Sequence, residues 1–277
     1  MPIQPISERL GPYDIVRRLP AGFLSDHYVV RRRERSHRRY QMMVQHARNT
    51  DLDAAAAMSE RHLALTRRAD HPSIIGMRDL VRDGDWLGVV FDLAEGPSLE
   101  EIVLHGTTRY RWEDARPLFS QLLDAVGTAH QAGLVACELF PSSVKVVEGT
   151  RVMASVLSNA QEVGEPYRAP LMGDCIYVAP EQYSQPAPLV DPRFDIYALG
   201  MLLYLMLAGR EPWNRREAPR KKEQARFEGH IPSPVSKRRS IPTPVVEAVM
   251  AALAPNPERR LATTADFAAA LDAAPVT

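Results

Sequence analysis

In the first part of the chain, short runs rich in Tyr, Val and Ile are separated by turn-forming and charged clusters. Residues 13–19, 27–33 and 40–46 are such runs and predict three strands, with Pro20, Ala21 and Gly22 as the turn between the first two. Residues 51–68 change character and predict a helix. Asp51 or Asp53 can cap its start, Ala54 to Ala57 have high helix propensity, and Arg67 and Arg68 suit its negative end. Residues 80–82 and 87–93 flank Asp83-Gly84-Asp85, the signal of a second hairpin.

Ala94-Glu95-Gly96-Pro97 breaks this pattern and is read as a linker. Beyond it the spacing turns helical. Residues 98–104 begin with Ser98 three positions before Glu101, the spacing of a capping box. Residues 113–131 carry Leu118, Leu122, Val126 and Ala129 on one face and stop at Gly133. Pro117 is expected near the first turn of that helix, because further in it would kink it. Residues 195–209, 221–228, 244–253 and 264–273 complete the helical set, and no internal repeat is visible.

With 277 residues, the chain can bury a full core as one large domain or two lobes. Lys plus Arg and Asp plus Glu both number 34, a neutral balance that argues against a nucleic-acid partner. The longest apolar run, residues 196–208, falls short of the roughly 20 residues of a membrane span and predicts a buried helix without membrane insertion. The first ten residues show no apolar leader. Cys137 and Cys175 make no disulfide framework, which points to the cytoplasm; they are either two buried thiols or a redox pair. The arginine-rich stretch 31–39 is either a solvated hairpin tip or a patch for an acidic partner.

Three ordered motifs carry a resemblance. Tyr177-Val178-Ala179-Pro180-Glu181-Gln182 resembles the end of a kinase activation segment. Asp195-Ile196-Tyr197-Ala198-Leu199-Gly200 resembles the start of the long helix of the second kinase lobe, and Asn256-Pro257-Glu258-Arg259-Arg260 a late D-P-x-x-R motif. Together they resemble the protein kinase superfamily, in particular bacterial Ser/Thr (Hanks-type) kinases. The resemblance implies an α+β, bilobal fold: a small β-rich N-lobe with one main helix (1–93) and a larger helical C-lobe (94–277), together one domain. It also implies an ion pair between Glu181 and Arg260, and an Asp195 that accepts hydrogen bonds from the backbone at Ala136 and Cys137.

Phosphoryl transfer in this family needs a lysine on the phosphates, ligands for magnesium, a base for the hydroxyl and a phosphate-covering loop. By alignment with the family's motifs, Met43 replaces the lysine and His62 its helix glutamate partner. In the catalytic loop Glu138 replaces the base aspartate, Phe140 a lysine and Ser143 the metal-binding asparagine. Val156 stands where the main metal-binding aspartate is expected, followed by Leu157 as an apolar plug. A carboxylate one methylene longer is misplaced where positioning matters, and a neutral hydroxyl is a weak magnesium ligand. Gly22 is the one glycine kept in the phosphate loop. His27 and Gln41 replace two small apolar residues of the adenine roof, and Phe91 takes the gatekeeper place ahead of Asp92, Leu93 and Ala94. His27 and Gln41 either fill this pocket or bond a different ligand. No Ser or Thr lies between Ser158 and Ser184, so the family's threonine switch is missing.

These departures imply a pseudokinase. On this reading the chain is not an enzyme, uses no metal and no cofactor, and acts as a protein-binding scaffold or allosteric regulator of an active kinase or signalling protein. Candidate contact surfaces are residues 159–173, 31–39 and 215–222. A different reading is an unconventional nucleotide-binding enzyme with residual or atypical phosphoryl or nucleotidyl transfer, with Glu138 as its base. A third, a nucleic-acid or membrane-surface binder through the arginine clusters, is opposed by net neutrality.

Overall fold

The computed structural model describes residues 8–19, 25–33, 38–106, 108–168, 176–213, 217–234 and 241–273. They form two compact units, one of residues up to 70 together with 75–95, the other of residues 71–74 together with 96 onward.

The first unit holds β1 (Arg9–Leu10), β2 (Tyr13–Arg18), β3 (Asp26–Arg32), β4 (Arg39–His46), α1 (Leu52–Arg68), β5 (Met77–Asp83) and β6 (Trp86–Asp92). The strands make one antiparallel sheet in the order β1-β2-β3-β4-β6-β5. Alternation sorts its side chains. Tyr28, Val30, Met42, Val44 and Val90 face one way and pack with Leu10 and Tyr13 into a buried core. The opposite parity carries His27, Val29, Gln41, Met43, Val89 and Phe91, with His27 opposite Met43 and Gln41 opposite Phe91 in register. Asp51 caps α1 by accepting the Asp53 and Ala54 amides. Gly84, at φ +55°, closes the β5–β6 hairpin in a conformation glycine adopts without strain.

The arginines flanking the tip of the β3–β4 hairpin point at carboxylates of their own sheet: Arg33 at Asp14 (2.7 Å), Arg32 at Asp79 (3.6 Å) and Arg38 at Asp92 (2.9 Å). Residues 34–37 lie outside the described residues.

The second unit opens with a π-helical turn, Glu100–His105. Ser98 and Glu101 hydrogen-bond reciprocally there: Glu101 Oε2 accepts from the Ser98 amide (2.7 Å) and hydroxyl, and Ser98 Oγ accepts from the Glu101 amide. The sequence predicted a short helix at this place; the capping pair is present, and the helix is of the wider π type. Then follow α2 (Trp112–Gln131), β7 (Leu134–Val135), β8 (Val144–Val147), β9 (Arg151–Ala154), β10 (Gln161–Glu162), α3 (Arg193–Ala208), α4 (Pro219–Phe227), α5 (Thr243–Ala252) and α6 (Thr264–Asp272). Pro117 lies inside α2 just past its first turn, near where it was expected. The packing of Leu118, Phe119, Leu122 and Leu123 into the core outweighs the one backbone bond that proline removes.

Helix α3 is buried along nearly its whole length and ends at Gly209, φ +67°. Close approach sets its neighbours: a Cβ on Gly200 would come within 2.8 Å of the Ala252 Cβ on α5. Phe119 on α2 and Phe267 on α6 meet edge to face, ring centroids 5.5 Å apart. Among the described residues no helix is long and apolar enough to cross a membrane.

Candidate active site

In the helical unit, the residues that matter sit on the loop between β7 and β8 and in the stretch after β9. Asp195, at the start of α3, is wholly buried. Its Oδ2 accepts the Ala136 amide (2.8 Å) and its Oδ1 the Cys137 amide (2.9 Å). His130 Nε2 lies 2.8 Å from the same carboxylate. Fixed from below, the loop turns through Cys137 at φ +64°, a left-handed conformation uncommon outside glycine. Gln182 locks it from the side, donating from Nε2 to the Cys137 carbonyl (3.0 Å) while its Oε1 accepts the Ala179 amide (2.9 Å). The Cys137 thiol is buried, and burial pushes its pKa well up, so it stays protonated at neutral pH. Cys175, its possible redox partner, lies outside the described residues.

Glu138 follows. It is nearly buried, and its Oε2 accepts the Asn159 side-chain amide at 2.7 Å. Burial raises the Glu138 pKa above the ordinary carboxylate value, and the Asn159 bond partly opposes that rise. Phe140 and Ser143 close a tight turn: Ser143 Oγ accepts the Phe140 amide (3.1 Å) and donates to the Phe140 carbonyl (2.7 Å). The β8–β9 hairpin then turns through Glu148 and Gly149, both at positive φ, to Thr150, whose amide donates to the Val147 carbonyl. It brings the chain to Val156 and Leu157, both buried. Ser155 stays tied to the loop through its amide on the Ser143 carbonyl (3.0 Å).

A second buried pair stands below the activation segment. Arg260 donates from both terminal nitrogens to Glu181, at 2.6 and 2.7 Å, and its remaining N–H groups reach the Ala254, Pro255 and Arg193 carbonyls. Its guanidinium also lies 5.0 Å from the Tyr197 ring centroid.

In the sheet unit, His27, Gln41 and Met43 share a face. His27 is bonded on both ring nitrogens, Nε2 with Ser25 Oγ (3.0 Å) and Nδ1 with Gln41 Nε2 (3.1 Å). Burial lowers its pKa, so the neutral ring is favoured. Met43 is half-buried beside them. His62, on α1, meets Phe91 edge to face at 6.2 Å, and burial lowers its pKa too. Asp92 is buried and held by Arg78, Arg38 and the Gly76 amide. Ala94 is half-buried, and Gly22 lies outside the described residues.

Two of these arrangements were not legible in the sequence. The Glu138–Asn159 bond spans 21 positions, and the Ser25–His27–Gln41 chain joins two strands at a diagonal; neither follows a fixed spacing.

A small antiparallel sheet with one main helix, followed by a helical unit with an internally tied loop, defines a protein-kinase type of α+β fold. The family model for the protein kinase domain matches residues 13–270, and the chain belongs to that family. Among curated relatives, it is 28% identical to serine/threonine-protein kinase PkaA of Streptomyces coelicolor over 72% of this chain and 36% of that protein. It is 28% identical to serine/threonine-protein kinase pkn2 of Myxococcus xanthus over 59% of this chain and 21% of that protein. With serine/threonine-protein kinase PrkC of Bacillus subtilis it shares 25% over 72% of this chain and 31% of that protein. The chain thus matches about a third or less of the length of these relatives.

This corrects the expectation that the chain is not an enzyme. The family and the named relatives are protein kinases, and nothing in the structure shows inactivity. The physical reason is plain: missing side chains tell which groups are absent, whereas turnover depends on what the remaining groups do.

The family implies magnesium, and the residues at its two loop positions do not fit it. Val156 is buried and has no donor atom, and the Ser143 hydroxyl is engaged with its own turn. Among the described residues no group of three His, Cys, Asp or Glu side chains could hold a metal ion.

Proposed function

We propose that this protein kinase domain, residues 1–93 and 94–277 working as one unit, serves mainly to recognise a protein partner and to regulate it by binding. The partner class is an active kinase or another signalling protein, and the setting is the cytoplasm, in keeping with the buried free thiol of Cys137. One observation carries the reading. The framework of the helical unit is tied through Asp195, Gln182 and the Glu181–Arg260 pair, while the positions expected for phosphate and metal hold Met43, Ser143 and Val156. Buried charges of this kind keep architecture, and architecture is what a binding surface needs.

The test has two stages. Partners are captured from the source cells, then one purified kinase partner is recombined with the purified chain. A defined complex and a changed rate of the partner's phosphorylation support the reading; an unchanged rate at saturating chain refutes it.

A second reading is favoured by Glu138, a carboxylate whose raised pKa and Asn159 partner suit proton transfer. Here the chain moves a phosphoryl or nucleotidyl group with Glu138 as base. Labelled-nucleotide transfer that disappears in Glu138→Gln establishes this reading, and its absence discards it.

A further inference from the structure

Most described arginines between the start of β2 and the end of β4 face a carboxylate of their own sheet unit. Arg17 pairs with Glu95, Arg18 with Asp26, Arg32 with Asp79, Arg33 with Asp14 and Arg38 with Asp92. Arg31 and Arg39 do not, and the register of β3 and β4 sets these two directly opposite each other. Both are exposed. Residues so opposed share one face of the sheet with Cβ atoms about 4.5–5.5 Å apart, and like charges placed this way destabilise the pairing. The sheet does little to relieve them. Asp14 stands opposite Arg31 on β2, but its carboxylate takes the Arg33 guanidinium at 2.7 Å. The pairing of β4 with β6 begins at Tyr40 and Asp92, so no β6 residue stands opposite Arg39.

We propose that Arg31 and Arg39 together bind one phosphate monoester, carried by a phosphorylated Ser, Thr or Tyr of the partner protein. Each guanidinium is a planar fork of N–H donors. A carboxylate has two oxygens and is filled by one such fork. A phosphate monoester brings three acceptor oxygens and a charge of about −1.5 to −2 at pH 7, enough for both. Its arrival also cancels the repulsion between the two cations, so the cost of their opposition in the free chain is recovered on binding. The inference rests on the partner-recognition reading and adds what is recognised.

The probe is a short Gly/Ala peptide with one central phosphoserine, titrated into full-length chain. The side-chain Nε–H signals of Arg31 and Arg39 are followed by NMR and assigned by their loss in Arg31→Ala and Arg39→Ala. Both signals should shift saturably. Peptides with Ser or Glu in place of phosphoserine should bind about tenfold more weakly or less, and so should Arg31→Lys with the phosphopeptide, since lysine keeps the charge but loses the fork. The double variant Arg31→Ala, Arg39→Ala should lose the response. Arg39→Glu should lose it too, and should melt above wild type, because an opposite-charge pair replaces a like-charge one. The proposal is overturned if the two signals ignore the phosphopeptide, if the Glu peptide binds equally well, if the double variant still binds, or if ADP or a short oligonucleotide binds these arginines as tightly. A chain that captures a partner while its two arginines ignore the phosphopeptide keeps the reading and defeats this inference. A chain that takes the phosphopeptide but captures no partner defeats the reading and keeps the site.

Discussion

Arg260 and Glu181 face each other fork to fork, at 2.6 and 2.7 Å, and the arginine side chain is fully buried. Such a pair is weak evidence of net stabilisation, but breaking it on one side strands a charge. Glu181→Ala is therefore expected to lower the unfolding free energy by about 3–5 kcal/mol. Removing both partners, as Glu181→Ala with Arg260→Met, should cost clearly less than the two single losses added together. Urea melts of the four proteins in this cycle give the comparison.

Asp195 accepts two loop amides, Ala136 and Cys137, and it also meets His130. Asp195→Ala leaves these donors buried without partners, at a cost of about 3 kcal/mol or more in total. The informative readout is local. Hydrogen exchange at Ala136 and Cys137 should accelerate strongly in Asp195→Asn, which keeps one acceptor oxygen, while the middle of α3 stays protected.

Glu138 gives a prediction in pH. Burial raises its folded pKa above the unfolded value. The folded state therefore holds the proton more tightly, and its contribution to stability is complete below the unfolded pKa. That contribution is lost as pH rises through the folded pKa. Glu138→Gln should remove this loss. The stability difference between variant and wild type should thus move in favour of the variant as pH rises through the mildly acidic range, measured by thermal melts in a pH series. A difference independent of pH would show that the carboxylate is not desolvated.

His27 and His62 behave in the opposite sense. Both pKa values are lowered by burial, so the neutral rings contribute stability that is full above the unfolded value and is lost as pH falls through the folded one. Acidification below about pH 6.5, the unperturbed histidine value, should weaken the sheet unit. His27→Gln should blunt that sensitivity, and combining it with His62→Leu should blunt it further. Intrinsic fluorescence of Trp86, whose ring lies 4.4 Å from His46, reports on this unit but also on His46, so a His46→Gln background is needed.

Much of the fold was legible because it follows local rules. Asp51 caps α1 as its side chain permits, Gly84 and Gly149 stand where turns need positive φ, and the apolar run ending at Ala208 is the buried helix α3. Local rules left the details open. Proline at 117 was expected near the first turn and stands just past it, and the short helix read over residues 98–104 is of the π type, because tertiary packing sets both and spacing does not record it. The site was read as a set of substitutions at family positions, a reading that holds no bonds. Nothing in the spacing of Glu138 and Asn159, or of His27 and Gln41, says that these side chains meet. Absent side chains are not absent catalysis, and the chain belongs to the protein kinase domain family.

Asp195 grips the loop only through main-chain N–H groups, which every residue but proline supplies. Its hold is indifferent to what the side chains of residues 136 and 137 are. What can stand there is limited instead by burial, which leaves Ala136 and Cys137 almost no exposed surface, and by the left-handed backbone at Cys137. The anchor thus sets the loop's path and leaves the choice of its side chains to their own surroundings.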